Sequence, residues 1–292
     1  VKGQRSHHSV VHISDEVYYS IPSLSFMSRV IVITSGKGGV GKTTVTANLG
    51  MTLAKMGYKV ALVDGDFGLR NLDLLLGLEN RIVYTAVEVL AGECRLDQAL
   101  VRDKRQPGLV LLPATQNRKA EMITPNHMKW MVGELAQQFD FVLIDSPAGI
   151  EMSFKNAIAA AQEALVVTTP EISAVRDADR VVGLLEANNI APTRLIVNRL
   201  RPAMVEASEM MSVEDVSEIL AVELIGVIPE DERVITSTNR GEPLVLDPNS
   251  NSRAAQAFGN IARRLRGENV PYLDLGPDRA SILDRLKKIF SK

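Results

Sequence analysis

The chain of 292 residues carries one cysteine, Cys94, and four histidines. A single thiol excludes an intramolecular disulfide and a cysteine-rich metal centre, and it fits a reducing compartment. His7, His8, His12 and His127 are too few and too scattered for a metal site. No apolar run approaches the ~20 residues that span a bilayer as a helix. The formal net charge is −2, so no global attraction to nucleic acid is built in, and basic character has to be local. What remains is an ordinary α/β composition, 46% hydrophobic and 23% charged, long enough for one large or two small domains.

Residues 1–27 are rich in Ser and His and lack a sustained period or an apolar signal core. They read as a disordered or non-native N-terminal extension, with Met27 just before the first strand. Asp15 and Glu16 count against a transit peptide. From residue 28 the chain alternates β-branched runs with helical patterns. Strands are expected at 29–34, 59–63, 109–112, 140–145, 164–168, 194–198 and 223–228, and helices at 42–56, 124–138, 173–187 and 251–265. Most of the runs are almost continuously apolar, as in strands covered on both faces. Gly57 stops the first helix, and Pro125 suits the first turn of another. This alternation predicts an α/β domain over 28–266, with right-handed crossovers, a mostly parallel twisted sheet and helices on both faces. Residues 267–278 read as a Gly/Pro linker, and Cys94, after Gly92-Glu93, as a buried structural thiol.

Directly after Val30-Ile31-Val32-Ile33 comes Gly36-Lys37-Gly38-Gly39-Val40-Gly41-Lys42-Thr43-Thr44. Gly36, Gly41, Lys42 and Thr43 satisfy the phosphate-loop pattern G-x-x-x-x-G-K-[ST]. The glycines let successive N–H groups turn inward around an anion, and the next helix points its positive end at the phosphates. Lys42 is expected to reach the β/γ-phosphates and the Thr43 hydroxyl to ligate Mg²⁺. Two later strands deliver carboxylates to the same sheet edge: Leu62-Val63-Asp64-Gly65-Asp66 and Leu143-Ile144-Asp145. Asp145 fits the Walker-B role. Asp64 and Asp66 fall where a γ-phosphate and attacking water belong. Aspartates clustered beside a phosphate require a metal or lysine to offset their charge.

Lys37 is surplus to an ordinary phosphate loop. From the loop's start it cannot easily turn onto its own γ-phosphate, so its expected use is across a dimer interface, as a finger supplied in trans.

Here the residues carry a resemblance. Lys37 to Thr44 resembles the deviant Walker A of the MinD/ParA ATPase family, a P-loop NTPase type. Asp64-Gly65-Asp66-Phe67-Gly68-Leu69-Arg70-Asn71-Leu72-Asp73 resembles its first switch, and Asp145-Ser146-Pro147-Ala148-Gly149-Ile150-Glu151 its second. Pro170-Glu171, Ser173 to Arg180, Ile228-Pro229-Glu230-Asp231 and Asn239-Arg240-Gly241-Glu242-Pro243 match further blocks. The resemblance implies an ATPase that dimerises around ATP and Mg²⁺, with Lys37 in trans. Gly38, Gly39, Val40, Gly41, Lys42, Thr43 and Thr44 would hold phosphate; Thr43, Asp64 and Asp145 the metal; Asp66 the attacking water. Asn198, Arg199, Pro229, Glu230 and Asp231 would surround the adenine. Asn71, Glu151, Glu171, Asp177 and Asp179 would lie on the dimer or partner face. The guanine reader Asn-Lys-x-Asp is absent, since the chain reads Asn198-Arg199-Leu200-Arg201, and this favours ATP. The resemblance also implies recruitment of the division inhibitor MinC and release by MinE-stimulated hydrolysis.

The end of the chain distinguishes sub-families. At ~100° per residue, Ile282, Leu283, Leu286, Ile289 and Phe290 fall on one helical stripe, with Arg285, Lys287, Lys288 and Lys292 around it. Residues 278–292 hold five basic and two acidic side chains, so the segment is +3 on a chain of −2. A basic amphipathic helix over 279–292 reads as an anchor for anionic membrane lipid. One such helix binds weakly, and two on a dimer gain avidity. The expected location is cytoplasmic, peripheral on the inner membrane face; a plastid stroma fits equally. The alternative is a ParA-like DNA-segregation ATPase, which needs a basic patch such as Arg194, Arg199, Arg201, Arg263, Arg264 and Arg266 could supply. A reductase resembling the nitrogenase iron protein needs paired cysteines, which Cys94 cannot provide.

Overall fold

The computed structural model describes residues 28–67, 69–115, 123–247 and 251–275. The N-terminal extension and the amphipathic stripe both lie outside the described residues. The strands are β1 (Arg29–Thr34), β2 (Val60–Asp64), β3 (Val101–Arg102), β4 (Leu109–Leu112), β5 (Phe141–Asp145), β6 (Glu163–Thr168), β7 (Thr193–Leu200) and β8 (Glu223–Pro229). They form one sheet in the order β3-β4-β2-β5-β1-β6-β7-β8. Every pairing is parallel except β3 with β4.

Alternation along the strands explains the unbroken apolar runs. Val30 and Val32 of β1 pack into one hydrophobic layer, Ile31 and Ile33 into the other, and all four are fully buried. One layer is covered by α1 (Lys42–Lys55), α2 (Leu72–Leu76) and α11 (Arg253–Leu265). The other is covered by α3 (Ala86–Leu90), α4 (Leu96–Ala99), α5 (Pro125–Ala136), α6 (Met152–Ile158), α7 (Ile172–Ala187) and α9 (Val213–Leu220). Two further helices, α8 (Pro202–Glu206) and α10 (Glu232–Asn239), come after the outer strands β7 and β8. Thr124 caps α5, its hydroxyl accepting the His127 amide at 3.3 Å with Pro125 in the first turn, so His127 is a capping residue. None of the helices among the described residues is long and apolar enough to cross a membrane.

The opposite end of the sheet is stapled by charge. Arg29 meets Glu163 at 2.6 Å, and Arg194 bridges Glu163 at 3.0 Å and Glu223 at 3.1 Å, linking β1, β6, β7 and β8. Burial opposes ionisation of Glu163, but the two guanidiniums outweigh it and hold its carboxyl below the usual range. Residues 267–275, read from the sequence as the start of a linker, lie against β8. Val270 is buried, Arg264 donates to the carbonyls of Val270 and Pro271 at 2.9 Å, and the Tyr272 hydroxyl donates to the Leu224 carbonyl at 2.5 Å. Cys94 is half-buried rather than buried. Burial and the neighbouring Glu88, Glu93 and Asp97 push its thiol pKa up, which makes it a poor nucleophile.

Candidate nucleotide-binding site

Strand order places the site. The chain leaves β1, skips over to β2, and later returns to insert β5 between them before β6 starts the other half. Ligands in such sheets bind at the carboxyl ends of the strands beside this reversal. The loop of residues 36–41 sits there. A Cβ on Gly36 would lie 2.1 Å from the Asp177 carbonyl oxygen, so the loop packs directly on the backbone of α7. Gly41 caps α1 at φ +95° with no side-chain cap bond, and no acidic residue stands in the first turn. The unpaired N–H groups at this helix start are therefore left for an anion.

Beneath the loop, Lys42 Nζ lies 3.4 Å from Asp145 Oδ1, both nearly inaccessible. The Thr46 hydroxyl donates to the same oxygen at 3.0 Å. Residues Asp64 and Asp145 are direct neighbours across β2 and β5. Asp64 accepts the Asp66 amide at 3.1 Å and the Leu72 amide at 3.4 Å, which pins the start of α2 to the end of β2. Burial, and then the Asp145 charge, push the Asp64 carboxyl up to about 8. Burial also raises that of Asp66, with Asp145 adding to the rise and Lys42 opposing it.

Three carboxylates thus crowd one buried lysine, and two of them are pushed toward their neutral forms, so a divalent cation fits the site by letting them ionise. Among the described residues no cluster of three or more His, Cys, Asp or Glu side chains could hold a metal by itself. Asp64 and Asp145 are the adjacent carboxylates at this edge, and Thr43 stands in the first turn of α1.

The raised Asp64 carboxyl makes stability depend on pH. A carboxyl raised in the folded state stabilises it fully below the unfolded value near 4, and that contribution is lost as pH rises through about 8. In nucleotide-free, metal-free protein the melting temperature is expected to fall from about pH 4 to about pH 8 and to level off above that. Asp64→Asn should flatten that slope, and a thermal-shift series in pH reads it.

A cavity of about 660 Å³ opens between Gly41, Thr44 and the Pro229–Asp231 turn. Asn198 Nδ2 donates to the Val40 carbonyl at 2.7 Å, tying the end of β7 to the loop. Arg199, Pro229, Glu230 and Asp231 all line this cavity. The carboxylates, however, are committed elsewhere. Glu230 is ion-paired with Arg201. Asp231 caps α10, meets Arg233 at 2.9 Å and accepts the Ser252 hydroxyl at 2.6 Å. The apolar part of the lining comes from Ile228, Pro229, Val234, Ile235 and Phe258.

Lys37 points away from its own loop. Its ammonium donates to Ser173 Oγ at 3.0 Å and lies 3.4 Å from Glu171 Oε2. Gly38 and Gly39 are exposed beside it. Asn71, Glu151 and Asp179 are exposed; Asp177 is half-buried and 3.7 Å from Arg180. The loops after β2, β5 and β6 also expose Leu69, Ile150, Met152 and Ile172. Sequence reasoning missed Asp73, which is fully buried in the first turn of α2 and paired at 2.8 Å with Arg70 of the loop that carries Asp66. Its signal was an opposite-charge pair at i,i+3.

The arginines that could have formed a DNA-binding patch are mostly spent. Arg194 and Arg201 are in the ion pairs above, Arg263 and Arg266 both pair with Glu268, and Arg264 stacks on Tyr272.

A family model described as the CobQ/CobB/MinD/ParA nucleotide binding domain matches residues 31–244. The septum site-determining protein MinD of Synechocystis sp. is 60% identical over 262 residues, 90% of this chain and 98% of that one. The chain belongs to the MinD branch of this nucleotide-binding family. Two solved structures agree. One protein of the MinC:MinD cell division complex of Aquifex aeolicus superposes with a TM-score of 0.79 at 50% identity, covering 85% of this chain and 100% of that one. The MinD of Pyrococcus horikoshii OT3 complexed with Mg-ADP gives 0.74 at 36% identity, covering 82% and 96%. The eight-stranded, mostly parallel sheet is thus the fold of this branch, and the loop at residues 36–41 lies within the matched nucleotide-binding domain.

Proposed function

We propose that this chain is an ATPase that pairs around ATP and magnesium, settles on anionic membrane, and positions a division site by recruiting MinC until MinE-stimulated hydrolysis releases it. The observation that carries the reading is the arrangement of the two lysines. Lys42 lies under the loop against Asp145, and Lys37 stands outside it. In this reading Lys42 and the amides at the start of α1 hold the β/γ-phosphates. Asp66 accepts a hydrogen bond from the attacking water and aligns it with the γ-phosphorus. The Thr43 hydroxyl, Asp64 and Asp145 would hold magnesium, which would supply the charge that neutralises the phosphate oxygens. The partner protomer's copy of Lys37 completes that neutralisation, as an arginine finger does.

The Mg-ADP complex of the Pyrococcus horikoshii MinD supports the choice of nucleotide and metal, and the Aquifex aeolicus complex supports MinC as partner. The exposed Leu69, Ile150, Met152 and Ile172 support a face that is covered on pairing. Asn71, Glu151, Glu171, Asp177 and Asp179 would lie on or beside it. The proposed location is the cytoplasmic membrane face, or the stromal face in a plastid.

Liposome co-sedimentation of the full chain and of one truncated after Gly276 tests the whole scheme. With anionic vesicles, ATP should raise the bound fraction of the full chain by ~10-fold or more over ADP, through two-tail avidity. The truncated chain should stay in solution with either nucleotide. Equal binding in ATP and ADP would remove the nucleotide-switched part of the reading.

A further inference from the structure

Beside the nucleotide site lies a larger cavity, about 950 Å³, between the start of α7 and the segment joining α8 to α9. Its apolar wall is unusual in composition: Met204, Met210 and Met211, all half-buried. Thioethers are the adaptable side chains of helix-binding grooves. Around them stand Glu209 and Asp215, both exposed, with Glu171 at the edge nearest the loop. Two cations, Arg199 and Arg201, also line it against four carboxylates, Glu230 being the fourth; Arg201 is tied to Glu230, and its amide and guanidinium face the sulfurs of Met210 and Met204 at 3.5 and 3.8 Å. The groove is thus methionine-lined with a net acidic rim, and it meets the nucleotide site only along its edges, at Glu171, Ser173, Arg199 and Glu230.

The chain itself supplies a complement. Its last described residue, Leu275, packs against the same hydrophobic layer as Met210, Met211 and α9. The chain has just run along β8, where Tyr272 reaches the Leu224 carbonyl. Six residues, 276–281, then separate it from the first apolar residue of the stripe. Extended, they span ~20 Å, about the length of the seven-residue β8 and so the distance from the base of the sheet to its ligand edge. The stripe itself brings Ile282, Leu283, Leu286, Ile289 and Phe290, with Arg285, Lys287 and Lys288 between them.

We propose that residues 282–290 dock into this methionine groove in the unpaired protomer, apolar side against Met204, Met210 and Met211 and lysines toward Glu209 and Asp215. The tail is then hidden from lipid until two protomers meet. This rests on the pairing proposed above. A partner protomer set against the phosphate-loop face covers the Glu171–Ser173 edge of the groove and competes with the tail for it. Membrane residence is then switched by release of the anchor as well as by avidity.

Trypsin cleavage after Arg285, Lys287 and Lys288, monitored by mass spectrometry without lipid, tests docking apart from membrane binding. With ADP, cleavage of the full chain should be ~10-fold slower than in Met211→Glu, because cleavage tracks the undocked population. Leu286→Glu, placed in the tail where it cannot unfold the body of the protein, should be cleaved as fast as Met211→Glu. Equal rates for all three chains in ADP overturn the proposal. With ATP, magnesium and Asp66→Asn to prevent turnover, the tail should be cleaved at the fast rate. Groove-sensitive cleavage that ignores ATP would uphold docking and count against pairing, so the two proposals fail separately.

Discussion

Lys37→Ala is expected to keep nucleotide binding within one protomer and to lose ATP-dependent pairing, with hydrolysis falling by ~10³-fold or more. The geometry separates the two effects. Phosphate binding draws on the amides at the start of α1 and on Lys42, and Lys37 contributes to neither. Its ammonium rests 3.0 Å from Ser173 Oγ and 3.4 Å from Glu171, on the rim of the site and not inside it. That ion pair is mostly solvent-exposed, so its loss should cost under about 1 kcal/mol and leave the fold intact. A cation parked this cheaply can be given up when a partner's triphosphate comes within reach. The measurement is light scattering with ATP, magnesium and Asp66→Asn, alone and combined with Lys37→Ala, alongside nucleotide affinity for each. Dimers that persist without Lys37 would withdraw the trans role. Lost nucleotide affinity would place Lys37 within its own loop instead.

Much of this could be read from the residues in order. All seven expected strands are present within one or two residues of their predicted ends, because a strand covered on both faces is a run of Val, Ile and Leu with no other reading. The structure adds β3, a two-residue antiparallel edge strand too short to show any period. It also adds the short helices α2, α3, α4, α6, α8, α9 and α10. Several of these are fixed by tertiary bonds that spacing does not reveal. The start of α2, for example, is held by Asp64 eight residues earlier. At the site, the loop and its three aspartates were legible because the phosphate loop demands residues at fixed intervals. The resting place of Lys37 was not, since it depends on Glu171 and Ser173 more than 130 residues away. Nor was the commitment of Asp231 to capping α10, which leaves its carboxylate unavailable to a base. Charge pairs between distant strands need the sheet order, which alternation of elements does not specify.

Asp145→Ala joins the catalytic and the structural sides of the site, and its expected signature depends on what fills the loop. In the nucleotide-free protein the substitution strips the buried Lys42 ammonium of its nearest carboxylate. Breaking a buried pair this way costs ~3–5 kcal/mol when nothing replaces the lost charge. Here something does. Asp64 is the adjacent carboxylate across the strand pair, and its raised pKa comes from burial and then from Asp145 itself. With Asp145 gone, Asp64 ionises more readily and takes over part of the neutralisation. The stability loss should therefore fall below that range, near ~2 kcal/mol, which is several degrees in melting temperature for a domain of this size. Adding ADP without magnesium should shrink the deficit, because phosphate then serves as the counter-ion for Lys42. Hydrolysis should remain at least ~100-fold down, since nothing restores the carboxylate that orients metal and phosphate. Thermal-shift curves for Asp145→Ala and the unaltered chain, each with and without ADP, read the first part, and phosphate release reads the second. A melting deficit that ADP leaves unchanged would mean that Asp145 acts through Thr46 and the β5 backbone, and that the Lys42 pair contributes little.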